Sequence, residues 1–210
     1  MPEKAPLITY IKKTNNPIFT TRELSYISHK SVSAVTQALN TLERQGVVDK
    51  LYRGIWSEKT HKPVSPYMLV PHLIKSSRIY VSFLSALHLH GIIEQIPQTI
   101  TLAATTHTKK IQTKLATFQI HQISPDYLFG FDWYKESGSF LIAEPEKAFA
   151  DCLYLFTKKK KQYGYFPELN LSKPFDIKKA ESYILKIHDS RARALALKRF
   201  KEIIELKVLK

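Results

Sequence analysis

The stretch from Thr20 to Trp56 constrains this chain most, because helix caps, a turn and a short hairpin follow one another there in a fixed order. Thr20 and Glu23 stand at capping-box spacing. In such a box a hydroxyl satisfies one orphan amide of a helix start, and the carboxylate reaches back to the cap amide. They predict a short helix ending near Ile27, followed by a turn at Ser28-His29-Lys30. Ser31 then caps a longer helix that ends near Gln45, with Gly46 as its stop. Val32, Val35, Leu39 and Leu42 recur at helical spacing and are expected to form one buried stripe, core rather than readout. Val47–Tyr52 and Ile55-Trp56 read as two short strands around Arg53-Gly54, a turn with a cation at its tip. Upstream, Leu7, Ile8 and Ile11 fit one face of a first helix broken by Asn15-Asn16-Pro17, and Ile18-Phe19 reads as extended. In this order the pieces describe a winged helix-turn-helix over residues 1–60.

A module of that kind lays its longer helix in the major groove of double-stranded DNA, so the side chains off the buried stripe become candidates for contact. Ser33, Thr36, Gln37 and Asn40 carry hydroxyls and amides able to bond base edges and phosphates. Thr21, Arg22, Lys30 and Ser31 flank them, and Arg53 marks the wing tip. Arg44 is read as solvated or paired near Glu43.

Charge supports the same class of partner. The 210 residues hold 32 Lys plus Arg against 18 Asp plus Glu, a net +14 that attracts polyanions. The excess lies at the ends: residues 1–60 carry +4, residues 61–156 carry +1 and residues 157–210 carry +9. Lys158, Lys159, Lys160 and Lys161, followed by Tyr163 and Tyr165, are candidate phosphate contacts, with a solvated loop as the alternative. In the closing helices, read at about Ile177–His188 and Arg191–Leu206, Lys198 with Glu202 and Lys201 with Glu205 have ion-pair spacing. That leaves Arg191, Arg193 and Arg199 as the freer cations, Arg191 being the candidate contact. Leu197, Phe200 and Ile204 are the expected buried stripe of the last helix. The basic segment is expected to add backbone contacts or to organise neighbouring protomers, a monomer or weak dimer binding DNA cooperatively.

After a linker at Thr60–Pro66, residues 66–210 read as a second, α+β domain. A helix runs from Ser82 to a stop at Gly91. Strands are expected at Ile100–Ala104, Phe118–Ile123 and Phe140–Ala143, and Pro145 opens a helix reaching Phe156. The fold class is therefore α+β: a winged helix-turn-helix, then a domain with a small sheet and C-terminal helices.

Little points to chemistry. Cys152 is the only cysteine, which excludes an intrachain disulfide and favours a reducing, cytoplasmic setting. The start shows no signal-peptide pattern, and no apolar run is long enough to span a membrane. His88 and His90 are two apart, on different sides of a helix, and the other histidines lack metal-ligand spacing; no glycine-rich phosphate loop is present. A nuclease fused to a DNA reader would need an acid-x-Lys pair on a strand after Pro125-Asp126. The candidates, Asp176-Ile177-Lys178 and Glu205-Leu206-Lys207, fall at a helix start and a helix end. Asp176 reads better as a cap. No catalytic residue, metal site or cofactor is expected.

Two segments carry a resemblance. Ser82-Phe83-Leu84-Ser85-Ala86-Leu87-His88-Leu89-His90-Gly91-Ile92, with Gln95-Ile96-Pro97 and Thr99-Ile100-Thr101-Leu102-Ala103 after it, resembles the AbiEi family of antitoxins. So does Ile142-Ala143-Glu144-Pro145-Glu146-Lys147-Ala148-Phe149-Ala150-Asp151. The likeness covers about residues 5–160, winged helix included, and is loose over the last fifty residues. It implies a repressor of its own promoter in a two-gene toxin-antitoxin operon. It also implies neutralisation of a nucleotidyltransferase-like toxin, often without a stable complex. Ser85, Glu146, Lys147 and Asp151 match the family pattern. They read as structural: a cap, charge compensation at a helix start, and a buried pair. A protein that sequesters the toxin directly is the alternative class.

Overall fold

The computed structural model describes residues 5–59, 63–74, 77–136, 139–158, 166–170 and 175–208. The class is α+β, with eight α-helices and two sheets among these residues. They fall into two compact units: those up to Leu73 with Gln112–Ala116, and Ile74–Ile111 with those from Thr117 on. Residues 63–73 thus group with the first unit.

In the first unit α1 (Leu7–Thr14) ends where Asn15 turns left-handed, a conformation its short polar side chain tolerates. Strand β1 (Ile18–Thr20) leads into α2 (Thr21–Ser28), and the expected capping box of Thr20 and Glu23 is present in both directions. His29 turns left-handed, and Ser31 accepts the Ala34 amide to start α3 (Val32–Arg44). Strands β2 (Val48–Tyr52) and β3 (Ile55–Glu58) form the hairpin, with Gly54 at φ +71°. β3 lies between β1 and β2, antiparallel to both, and a bulge between Lys50 and Tyr52 bends β2. Leu7, Ile11, Phe19, Leu24, Val35, Leu39, Val48 and Trp56 form one core beneath the helices. Leu42 packs on it only in part. Val32 departs from the expected stripe: it is 50% exposed, because it is the first residue of the helix and lies at the outer end of that stripe.

The second unit is built on a six-stranded sheet. Its strands are β4 (Ile79–Val81), β5 (Ile100–Ala104), β6 (Lys109–Gln112), β7 (Thr117–Gln122), β8 (Phe131–Trp133) and β9 (Leu141–Ala143). Their spatial order is β6-β7-β5-β4-β9-β8. The β5–β7 and β4–β9 pairs are parallel, and β4–β5 and β8–β9 antiparallel. Three strands match the expected runs, whereas β4, β6 and β8 are additions to them. These are three or four residues long, too short to show an alternation, and β6 and β8 are mostly exposed edges.

Helix α5 (Phe83–Leu89) follows β4, and α6 (Pro145–Thr157) follows β9. α6 is wrapped by α5, α7 (Ile177–Leu185) and α8 (Ser190–Val208), so nine of its thirteen residues are buried. Asp176 caps α7 by accepting the Lys179 amide, as expected. In α8 the buried stripe is Ala196, Phe200 and Ile203; Leu197 and Ile204 are only half-buried. Phe200 meets Phe149 of α6 at 6.0 Å between ring centres. The C-terminal helices are therefore part of the core rather than an appended basic arm. No helix among the described residues is long and apolar enough to cross a membrane.

Candidate nucleic-acid interface

Side chains on the outer face of α3 are set by its buried face. With Val35 and Leu39 fixed inward, Ser33 and Gln37 are exposed on the opposite side, and Asn40 is half-buried at its edge. Thr36 is half-buried and donates its hydroxyl proton to Val32 O at 2.7 Å, which leaves it a methyl group and an acceptor oxygen. Ser31 is exposed, but its oxygen already serves as the cap of α3. Arg44 folds back on its own helix, onto Asn40 O and Thr41 Oγ1, while Glu43 accepts the Lys50 amide at 3.2 Å.

The first unit also carries the expected cations. Arg22 is exposed on α2, and Arg53 is exposed at the hairpin tip. Lys30 is half-buried, with its ammonium 3.4 Å from Ala5 O. Thr21 is a correction to the expected contact set. It is buried, its amide donates to Gly54 O at 3.0 Å, and its hydroxyl accepts the indole N–H of Trp56 at 2.9 Å. Thr21 thus fastens the hairpin turn to the start of α2 and offers nothing outward. The cation at the hairpin tip and the exposed helix face are held by one framework.

Two exposed side chains of this region add to the expected contacts. Tyr26 is 82% exposed, one helical turn beyond Arg22. The buried positions Thr21, Leu24 and Ser28 of α2 set it on the outer side, a spacing visible in the sequence. The other is Val32. With Arg22, Ser33, Gln37 and Arg53 they are exposed hydrogen-bonding, apolar and cationic groups of the first unit. A helix about 10–12 Å across matches a major groove about 12 Å wide.

Of the C-terminal candidates, Lys158 and Arg191 share a neighbour, Asp189, whose carboxyl is lowered first by the Ala192 amide and then by these two cations. Lys158 is exposed at the end of α6, its ammonium 5.4 Å from the centre of the Tyr154 ring. Lys159, Lys160 and Lys161 lie outside the described residues. Arg191 is exposed in the first turn of α8. The other arginines read as free are engaged: Arg193 donates to Ile187 O at 3.0 Å, and Arg199, not Lys198, pairs with Glu202 at 2.9 Å.

One charged pair of the second unit is internal. Lys147 and Asp151, one turn apart on α6, are fully buried and form an ion pair. Asp151 also accepts the Tyr80 hydroxyl at 3.0 Å and the Ser82 hydroxyl at 2.7 Å. The Lys147 ammonium lies 3.9 Å from the Tyr127 ring centre and 4.9 Å from that of Phe129. Burial lowers the Lys147 pKa, with Asp151 opposing, and burial raises the Tyr80 and Tyr127 phenols. Ser85, equally buried, exchanges hydrogen bonds with Thr101, one of them Thr101 N to Ser85 Oγ at 2.9 Å. Glu146 accepts the Asp176 amide at 2.9 Å, joining α6 to α7. A buried pair is what the sequence predicts for Lys147 and Asp151. Ser85, however, braces α5 against β5 and does not cap a helix. These bonds hold β4, α5, β5, α6 and α7 together. Among the described residues, no three His, Cys, Asp or Glu side chains are grouped so as to hold a metal ion.

No family model matches the chain, and no curated protein matches it.

Proposed function

We propose that the first unit is a winged helix-turn-helix that reads double-stranded DNA, and that the protein is a cytoplasmic, non-enzymatic repressor of its own promoter. The observation that carries this is the order α1-β1-α2-α3-β2-β3, with Ser33 and Gln37 outward on α3 and Arg53 at the hairpin tip. Groups of those types supply base-edge bonds from the helix and a phosphate contact from the wing. The test is protection of the protein's own promoter DNA from cleavage. A footprint over a defined sequence that Gln37→Ala weakens supports the reading, and the absence of any footprint removes it.

The antitoxin role rests on the resemblance of residues 82–92 and 142–151. In that reading the toxin is nucleotidyltransferase-like and is neutralised without a stable complex. Co-expression with the product of a neighbouring gene of that chemistry tests it by rescue of growth. Direct capture of a toxin is a second reading, favoured by one observation. A groove of about 430 Å³ in the second unit is lined by Leu84, Ile93, Pro97 and Gln119, with Ile96 74% exposed at its side. A complex that survives gel filtration and is lost in Ile96→Asp would favour capture.

A further inference from the structure

We infer that Val32 and Thr36 together read the 5-methyl group of a thymine in the major groove, so that the first half of α3 selects A·T pairs. The inference rests on the DNA-reading proposal and sharpens it. Val32 is a branched apolar side chain left 50% exposed at the start of a helix whose other core positions are covered. Thr36 is one turn on, at the same-face spacing of four residues. Its hydroxyl proton is committed to Val32 O, so it can no longer donate to a base. What the pair offers is two sets of methyl groups and an acceptor oxygen. Of the four bases only thymine presents a methyl group in the major groove.

The surroundings favour a nucleic acid over a protein as the occupant. The exposed positions of α3 and its N-terminal cap are Ser31, Val32, Ser33, Ala34, Gln37, Thr41 and Arg44, with no carboxylate among them. The one acid of the helix, Glu43, is turned to the Lys50 amide. Arg22 on α2 and Arg53 at the hairpin tip are exposed cations of the same unit, so the unit offers charge that complements phosphates. Gln37, on the adjoining side of α3, has the amide that bonds adenine through its N6 and N7 atoms. An apolar reader of thymine beside an amide reader of adenine describes selection for A·T pairs at neighbouring positions.

The experiment uses the full chain. Duplexes are selected from a random pool, and affinity is measured with each thymine of the selected site replaced in turn by deoxyuridine, which removes only the methyl group. Wild type is expected to lose about fourfold at one position, the effect of withdrawing one methyl-sized group from an apolar neighbour. V32A should lose most of that sensitivity while binding the deoxyuridine duplex as well as wild type does. Uridine sensitivity that persists undiminished in V32A, or is absent in wild type, overturns the inference and leaves DNA reading standing. A pool that yields no enriched sequence overturns both. If V32A instead changes only the sedimentation of the free protein, the patch belongs to a second copy of this chain, and the inference falls.

Discussion

Trp56 donates its indole N–H to the hydroxyl of Thr21, 35 residues earlier, at 2.9 Å. Both groups are buried, so the bond is an internal fastening between β3 and the start of α2. Thr21→Val keeps the shape and leaves the indole N–H without its acceptor. The expected cost is about 1–3 kcal/mol, the penalty for a buried unsatisfied donor. Urea unfolding measures it, and an unchanged midpoint would show that the bond contributes nothing. Arg22→Gln, on the next residue but exposed, should do the reverse: near-normal stability with weaker duplex binding.

The contrast between Thr21 and Arg22 also marks where sequence reading works. The capping box at Thr20 and Glu23, the Ser31 cap and the Asp176 cap involve residues three apart, so spacing alone reveals them. The long runs around α6 and β5 are legible for the same reason. The Thr21–Trp56 bond, the Ser85–Thr101 exchange and the Tyr80 and Ser82 bonds to Asp151 join residues far apart in the chain. No local pattern encodes such partners. Val32 fits a core stripe by spacing and is exposed because helix ends lack neighbours. The short strands β4, β6 and β8 span only three or four residues, too few for the two-residue alternation of a strand to stand out from its surroundings.

Removing one member of the Lys147–Asp151 pair should be severe. In Lys147→Met the aliphatic stem is replaced but Asp151 remains as a buried charge. The expected loss is about 3–5 kcal/mol, typical of a broken buried pair. Gly130 gives an independent check. It has φ +69°, and a Cβ there would meet the Lys147 stem at 3.1–3.3 Å. Gly130→Ala should therefore cost about 1–2 kcal/mol from the backbone alone. Denaturation followed by near-ultraviolet dichroism reads both, since Tyr127 and Phe129 surround the ammonium. A Lys147→Met protein of wild-type stability would mean that the pair is dispensable.

Acid should loosen the junction of α6 and α7 at Glu144. Burial raises this carboxyl, but the Tyr183 hydroxyl at 2.5 Å and the Lys179 ammonium at 2.9 Å outweigh it, so the net pKa lies below the ordinary 4.5. A carboxyl lowered on folding stabilises the folded state above its unfolded pKa, and this is lost as pH falls through the folded value. The stability gap between wild type and Tyr183→Phe should be constant above about pH 5 and shrink below 4.5. Urea midpoints at a series of pH values check it. A gap that widens on acidification would contradict the assignment.

Salt dependence separates the contribution of the basic C-terminal segment from that of the first unit. Truncation near Phe156 cannot do so, because it removes α7 and α8 and uncovers α6, where Phe149 meets Phe200 and Phe175. Neutralising exposed cations avoids this. Lys158 lies at the end of α6 and Arg191 in the first turn of α8; both are exposed, so Lys158→Gln and Arg191→Gln should leave stability intact. If each touches a phosphate, each change makes the plot of log affinity against log salt shallower by about 0.9. Replacing all of Lys158–Lys161 should flatten it further and reduce the advantage of duplexes carrying two sites over one. Arg53→Gln at the hairpin tip should flatten the slope while leaving the preferred sequence unchanged, because a bond to phosphate carries no base information. Gln37→Ala should leave the slope unchanged and relax the preference by about 1–3 kcal/mol at the base pair that the amide reads. A slope that all four C-terminal lysines and Arg191 fail to alter would reduce the +9 of residues 157–210 to a solvated surface, and the first unit alone would then account for binding.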